Sequence, residues 1–408
     1  MRAIWVVIHR WCGLATAMFL FVAGLTGAII SWDHEIDEWL NSRLFETSSR
    51  GAVKAPLDLV RSIEAADPRV RVTFVPLQYE EGHTLVFGVQ PRVNPATGRL
   101  FEPGYNQVFV DPVTGKTLGS REWGKVALDR EHLMSFLYKL HYSLHIPEMG
   151  GVDRWGIWFM GIVGVVWLLD CFFALLISFP NPSVWTKSFA VRWRAGGYRL
   201  NFDLHRAGAL WTWMLLFILA LTAVSLNLNN EIFRPLLATF SELTPTPFTT
   251  RPLRPRHQPI APKVPFADAI TRAEAEASAR GWPEPVGSIF YAQRFGIYGA
   301  RFYEPGNDHG SGGMGVKSIY IDGADGRVLG ERVPWKGTAA DVFVQLQFPL
   351  HSGRIAGIPG RILISIMGII VAMLSVTGVV IWVRKRRARY AEETIVKRGT
   401  GDSAGAAV

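Results

Sequence analysis

Cysteine is almost missing from this 408-residue chain, which holds two, Cys12 and Cys171. Both stand inside long apolar runs, so the polar regions have no disulfide framework and a cysteine-stapled secreted fold is excluded. Charge is also thin. Asp, Glu, Lys and Arg make up 19% of the residues and hydrophobic ones 49%, too apolar a balance for an ordinary soluble protein. Acid is lacking where base collects: Lys187, Arg192, Arg194 and Arg199 fall within residues 180–200 without one Asp or Glu, and residues 384–389 read Arg-Lys-Arg-Arg-Ala-Arg. The net charge of +9 therefore gathers at the ends of apolar runs, which excludes nucleic acid as a partner. The first apolar run has no A-x-A-like site behind it and exceeds the about 7–15 residues of a secretory h-region, so it reads as a retained span.

What is present is apolar length. Residues 12–30, 156–179, 207–226 and 362–383 each approach or exceed the roughly 20 needed to cross a bilayer as a helix. The expected fold is an α-helical integral membrane protein, a four-helix transmembrane bundle with spans over 3–32, 153–179, 203–228 and 358–384. Basic flanks orient such spans. They put both termini, the 180–202 loop and the basic tail 385–408 in the cytoplasm, and the segments 33–150 and 229–352 in the periplasm, of a bacterial inner membrane. The tail suits contact with anionic lipid, and from Gly399 onward its composition reads as disordered.

The chain also repeats itself. His9-Arg10 opens the first span and His205-Arg206 the third; Leu140-His141 precedes the second and Leu350-His351 the fourth. Between them, residues 108–119 match 319–330: an apolar strand, a turn through Asp111 and Gly115 or Asp322 and Gly326, and a second strand. Trp123 and Trp335 follow at similar distances. The spans of the two halves run in the same direction, which makes them parallel repeats about an axis along the membrane normal. Each half carries a helical stretch (56–66 and 266–280) and β-rich runs (84–89 and 288–291), so a small α+β module is expected per half.

Of the ten histidines, His9, His205, His141 and His351 fall at equivalent places by the two membrane faces. Ionisable groups at membrane depth need a functional partner. The repeat axis sets His9 opposite His205 and His141 opposite His351, the axial set of a low-spin haem between facing helices, so two b-type haems are expected, with the four histidines as ligands of the iron. Arg10, Arg206, Arg354 and Arg361 stand where haem propionates would meet them. His145, one helical turn beyond His141, is the alternative outer ligand. Zinc suits the pattern less well, because no third ligand follows at i+4 from His9, His205 or His351.

Other signals carry less. Residues 310–315 match G-x-G-x-x-G, but a polar turn precedes them and a strand follows, so they read as a loop rather than a dinucleotide site. Asp170, alone in mid-span, reads either as an acid capped by a neighbouring hydroxyl or haem-site arginine, or as a proton- or quinone-handling group. Trp123 and Trp335 are expected mainly to pack, and most other tryptophans to form the interfacial belt.

The His9-Arg10-x-x-Gly13-Leu14 start, the strand–Asp–x–x–x–Gly hairpins, Leu140-His141 and the closing run 350–361 (Leu-His-Ser-Gly-Arg-Ile-Ala-Gly-Ile-Pro-Gly-Arg) together resemble the PepSY-associated transmembrane family over about residues 3–388. The resemblance implies PepSY-like modules in the periplasm, and His9, His141, His205 and His351 as haem ligands. It also implies the activity of an oxidoreductase of the siderophore–iron (ferrioxamine) type, which passes electrons across the membrane, reduces ferric siderophore and so serves iron uptake. The electron donor would be a quinol or a cytoplasmic reductase. Two other readings stand beside it: a haem-containing, quinol-linked donor to another periplasmic oxidoreductase, and a non-enzymatic membrane anchor or regulator whose modules bind a partner.

Overall fold

The computed structural model describes residues 2–179 and 181–404. Among the described residues three helices are long and apolar enough to cross a membrane: α1 (Arg2–Ile30), α5 (Trp155–Ser178) and the fourth run, which begins the helix α10 (Gly357–Ala404). α10 carries the basic run onward to Ala404 without a break; the rest of the tail expected to be disordered, residues 405–408, lies outside the described residues.

The third run departs from the single straight span expected over 203–228. It forms two helices, α6 (Gly197–Trp211) and α7 (Trp213–Asn227), bent by 71°. At the break Thr212 leaves helical geometry (φ −107°, ψ 8°), and its hydroxyl donates to the Gly208 carbonyl at 2.8 Å. Such back-bonding competes with the helix ladder and bends it. Trp213 then ties α7 to α5 by donating its indole N–H to the Cys171 carbonyl at 2.9 Å. The 15 residues of α7 rise about 22 Å against a hydrocarbon layer of roughly 30 Å, so the pair crosses only as one broken span. α6 lies against α10, where Asn201 donates to the Thr377 carbonyl at 3.1 Å. α1 and α10 touch backbone to backbone at Gly24 and Gly368, where a Cβ on either would strike the other's carbonyl; small residues permit this close helix contact in a membrane.

The polar segments do not form two separate modules. They share one eight-stranded antiparallel sheet of order β4-β3-β2-β1-β5-β6-β7-β8. The first half supplies β1 (Val70–Pro76), β2 (Leu85–Pro91), β3 (Gln107–Val110) and β4 (Thr117–Arg121). The second supplies β5 (Val286–Ala292), β6 (Ile297–Phe302), β7 (Lys317–Asp322) and β8 (Val328–Arg332). The two meanders join where β1 pairs with β5, Phe74 opposite Phe290 and Val75 opposite Ile289. Local detail repeats as well: the register shifts at Phe109/Val110 in one half and Tyr320/Ile321 in the other, and Asp111 and Asp322 each accept from turn N–H groups two residues on.

One face of the sheet packs against α3 (Pro56–Ala66) and α8 (Phe266–Ala279). Leu59, Val60 and Ile63 of α3 and Ala269, Ala273 and Ala277 of α8 recur at helical spacing and are buried there, each larger side chain contributing about 1.5–3 kcal/mol. The other face looks toward α2 (Asp33–Leu40) and α4 (Leu133–Ser143), which line a cavity of about 550 Å³ together with β1–β4. α4 carries His141, and its counterpart α9 (Ala339–Ser352) carries His351.

Candidate functional site

The structure brings the four histidines together in two pairs. His9 on α1 and His205 on α6 stand with ring centroids 6.2 Å apart, near the chain termini; His141 on α4 and His351 on α9 stand 6.0 Å apart, near the sheet. Metal–imidazole bonds are about 2 Å long, so one metal ion shared by two rings sets their centroids about 6 Å apart. Along α1, His9 and Thr26, which touches His141, are separated by about 25 Å of helical rise.

Each ring is held by its Nδ1 atom. His141 Nδ1 meets the Ala23 carbonyl at 3.0 Å and the Thr26 hydroxyl at 3.1 Å. His351 Nδ1 meets the Thr222 hydroxyl at 2.9 Å. His205 Nδ1 meets the Leu374 carbonyl at 3.1 Å and the Thr377 hydroxyl at 3.0 Å. His9 Nδ1 lies 2.9 Å from both oxygens of Asp170. The tautomer follows from these partners. A carbonyl only accepts, and the hydroxyl hydrogens of Thr26, Thr222 and Thr377 already go to the carbonyls of Val22, Ile218 and Met373. Every Nδ1 therefore donates, and in a neutral imidazole Nε2 then keeps a bare lone pair. None of those four Nε2 atoms has a hydrogen-bond partner among the described residues. An imidazole whose far N–H is fixed by an oxygen and whose near lone pair is free is the arrangement of a metal ligand with its supporting shell.

Two glycines make room for the rings themselves. Gly27 lies against the His141 ring and Gly378 against the His205 ring, where a Cβ would come within 3.0 and 3.1 Å of Cε1. Arg10 and Arg206, beside the terminal pair, each bury an Nε with no partner, open to an anionic substituent, although the other end of Arg206 already donates to the Lys187 and Ala190 carbonyls and to Asp203. Among the described residues no three His, Cys, Asp or Glu side chains converge. Haem iron needs only two protein ligands, since the porphyrin fills the other positions.

The remaining candidates fall as follows. Arg354 stands 3.7 Å from Asp33. Arg361, expected at a propionate, is taken up elsewhere: it pairs with both oxygens of Glu35 at 2.7 Å, donates to the Ser31 carbonyl and stacks on Trp32. Hydrogen bonding from Arg361 holds the Glu35 carboxyl down at about 2. Burial pushes the Asp33 carboxyl up, against the pull of Arg354. His145 does not join the outer pair: its ring stacks on Phe136 and its Nε2 donates to the Phe136 carbonyl at 2.9 Å, while its buried Nδ1 has no partner among the described residues. The glycine loop makes a short turn (Ser311–Gly313) before β7, opens no helix, and lets its backbone lie on Arg354 at Gly313.

Asp170 is capped by neither a hydroxyl nor an arginine among the described residues; its partner is His9. Thr26, Thr222 and Thr377 were missed altogether. One signal existed for two of them: Thr26 and Thr222 each follow the first histidine of their half by 17 positions.

Apolar helices of spanning length around these pairs, with a sheet formed by the polar segments, define a multi-pass helical membrane protein with a sheet domain. The chain belongs to the family described as the PepSY-associated TM region, whose model matches residues 6–385. No curated protein matches the chain.

Proposed function

We propose that this chain is a di-haem oxidoreductase of the bacterial inner membrane that takes electrons from a quinol or cytoplasmic reductase and reduces ferric siderophore in the periplasm. In this reading the helices form a four-span bundle of two parallel repeats, with both termini cytoplasmic, as the basic flanks support. His9 with His205, and His141 with His351, would hold two b-type haems, and Arg10 and Arg206 would stand beside the propionates of the one at the terminal pair. Bound there, haem supplies reversible one-electron chemistry at each membrane face.

The observation that carries the reading is the set of four imidazoles pinned through Nδ1, with Nε2 unpaired and rings about one metal ion apart. The chain's own work is to fix those rings against rotation and to keep water from them with apolar helices. On the sheet side, the cavity lined by Asp33, His34, Arg121, Trp123 and Tyr138 is the proposed docking place for the ferric complex. Trp123, Tyr138 and Tyr142 stand in edge contact at 5.7 and 6.1 Å and extend from that cavity along α4 toward His141.

The test is anaerobic mixing of dithionite-reduced, detergent-solubilised protein with ferric siderophore. Reoxidation of the haem bands with appearance of Fe(II) is the expected result. Reduced bands that persist would rule out the siderophore as substrate and leave the donor-to-oxidoreductase reading. Protein without a Soret band after haem-supplemented expression would favour the non-enzymatic anchor.

A further inference from the structure

The two histidine pairs are built alike except at one partner. Three of the four imidazoles rest Nδ1–H on neutral oxygens: carbonyls of Ala23 and Leu374, hydroxyls of Thr26, Thr222 and Thr377. The fourth, His9, rests on a carboxylate and touches both of its oxygens. The placement departs from the chain's internal repetition. Thr26 and Thr222 support the second histidine of their own halves, and Thr377 supports the first histidine of the second half. In the first half that last role falls to Asp170 instead of a hydroxyl. Asp170 is buried in α5, and His9 is its only hydrogen-bonding or ionic partner among the described residues. Such a carboxylate at membrane depth is expensive, and a threonine at the same place would orient the ring equally well. Orientation alone therefore does not account for it.

Resting on the haem reading above, we infer that Asp170 is a positioning residue that makes the two couples unequal. It lowers the reduction potential at the terminal pair below that at the sheet pair, so that electrons run downhill toward the sheet side. The physical cause is charge. A carboxylate that accepts the Nδ1–H draws that proton toward itself and makes His9 a more basic, more strongly donating ligand. The oxidised couple carries one more positive charge than the reduced one, so an adjacent anion in a low-dielectric helix bundle favours the oxidised form. At the sheet pair the supporting oxygens are all neutral and exert no such pull. No proton leaves Nδ1; only the relative energy of the two charge states changes.

The experiment is an equilibrium redox titration of the purified full-length holoprotein, followed by haem absorbance. A His351→Ala chain, which retains only the terminal couple, assigns the two waves. Wild type is expected to titrate in two steps, the lower one belonging to the terminal pair. Asp170→Asn keeps an acceptor for Nδ1–H but removes the charge. It is expected to keep both haems and raise the lower couple at least tenfold in its equilibrium constant, 59 mV for one electron, with the upper couple unmoved. Thr377→Asp adds a second carboxylate at the same pair and is expected to drive the lower couple further down, and it decides the matter if the Asn chain loses a haem. Both haems bound with the lower couple unmoved, or the terminal pair proving to be the higher couple, would overturn the inference. A wild-type chain that binds no haem would instead overturn the functional reading on which it rests.

Discussion

The two halves of the chain agree closely in the sheet and diverge among the helices. Each half folds its polar segment into the same meander, with the same irregularity between third and fourth strands and the same Asp-centred turn. Its first helix differs: α1 runs unbroken for 29 residues, whereas the second half breaks at Thr212 into α6 and α7. A strand's register is fixed by hydrogen bonds to both neighbours and by the alternation of buried faces, so the two meanders have little freedom to differ. A helix carries its own hydrogen bonds and needs only to deliver its histidine. α6 delivers His205 to His9 from a bent path as well as a straight helix would.

The comparison breaks most visibly if one pair is removed. Replacing His141 or His351 with Ala should leave one haem per chain, and His9→Ala or His205→Ala should leave the other; quantified haem extracts check this. His145→Ala should leave both, since its ring stacks on Phe136 and belongs to neither pair.

The next largest effect sets two arginines at corresponding strand ends against each other. Arg121 makes a buried two-point ion pair with Asp37 (2.9 and 2.6 Å), whereas Arg332 donates only to the carbonyls of Met314 and Val316. Burial lowers the Arg332 guanidinium's pKa. Arg121→Met leaves a buried carboxylate unpaired and should cost about 3–5 kcal/mol. Arg332→Met leaves carbonyls short of donors and should cost about 1–3 kcal/mol. Thermal melts of the solubilised chain would rank them, and equal losses would contradict the contrast.

Thr26→Val and Thr222→Val remove the hydroxyls that orient His141 and His351. Each should weaken haem retention about 10–100-fold, and His351 should suffer more because Thr222 is its only Nδ1 partner among the described residues, whereas His141 also has the Ala23 carbonyl. Competition with apomyoglobin for haem measures this.

The smallest effect concerns the Glu35–Arg361 pair, which joins α2 to the start of α10 and is half exposed at Glu35, so it contributes under about 1 kcal/mol. Its carboxyl is held down to about 2, below its ordinary value near 4.5. The stabilisation is therefore complete above about 4.5 and lost as pH falls toward 2. Glu35→Gln should flatten this part of the acid-unfolding profile.

Much of this architecture was legible from residue letters, because bilayer length and the His-Arg and Leu-His repeats are properties of composition and spacing. The bend was not: hydropathy counts Thr212 as one tolerable polar residue and is blind to where its hydroxyl turns. The β1–β5 junction was hidden too, since an edge strand that pairs with another module reads the same as one that does not. In the site, the four histidines stood out by position. Their supports did not, because Asp170 lies 161 residues from His9 in sequence, and a threonine within an apolar run looks like any other small residue.

The haem-to-protein ratio of the purified full-length chain, by pyridine haemochrome, bears most directly on the central claim. Two b-type haems per chain, falling to one when either member of a pair is replaced with Ala, is the expected result. A chain without haem, or a ratio that survives loss of His9 and His351 together, would contradict it.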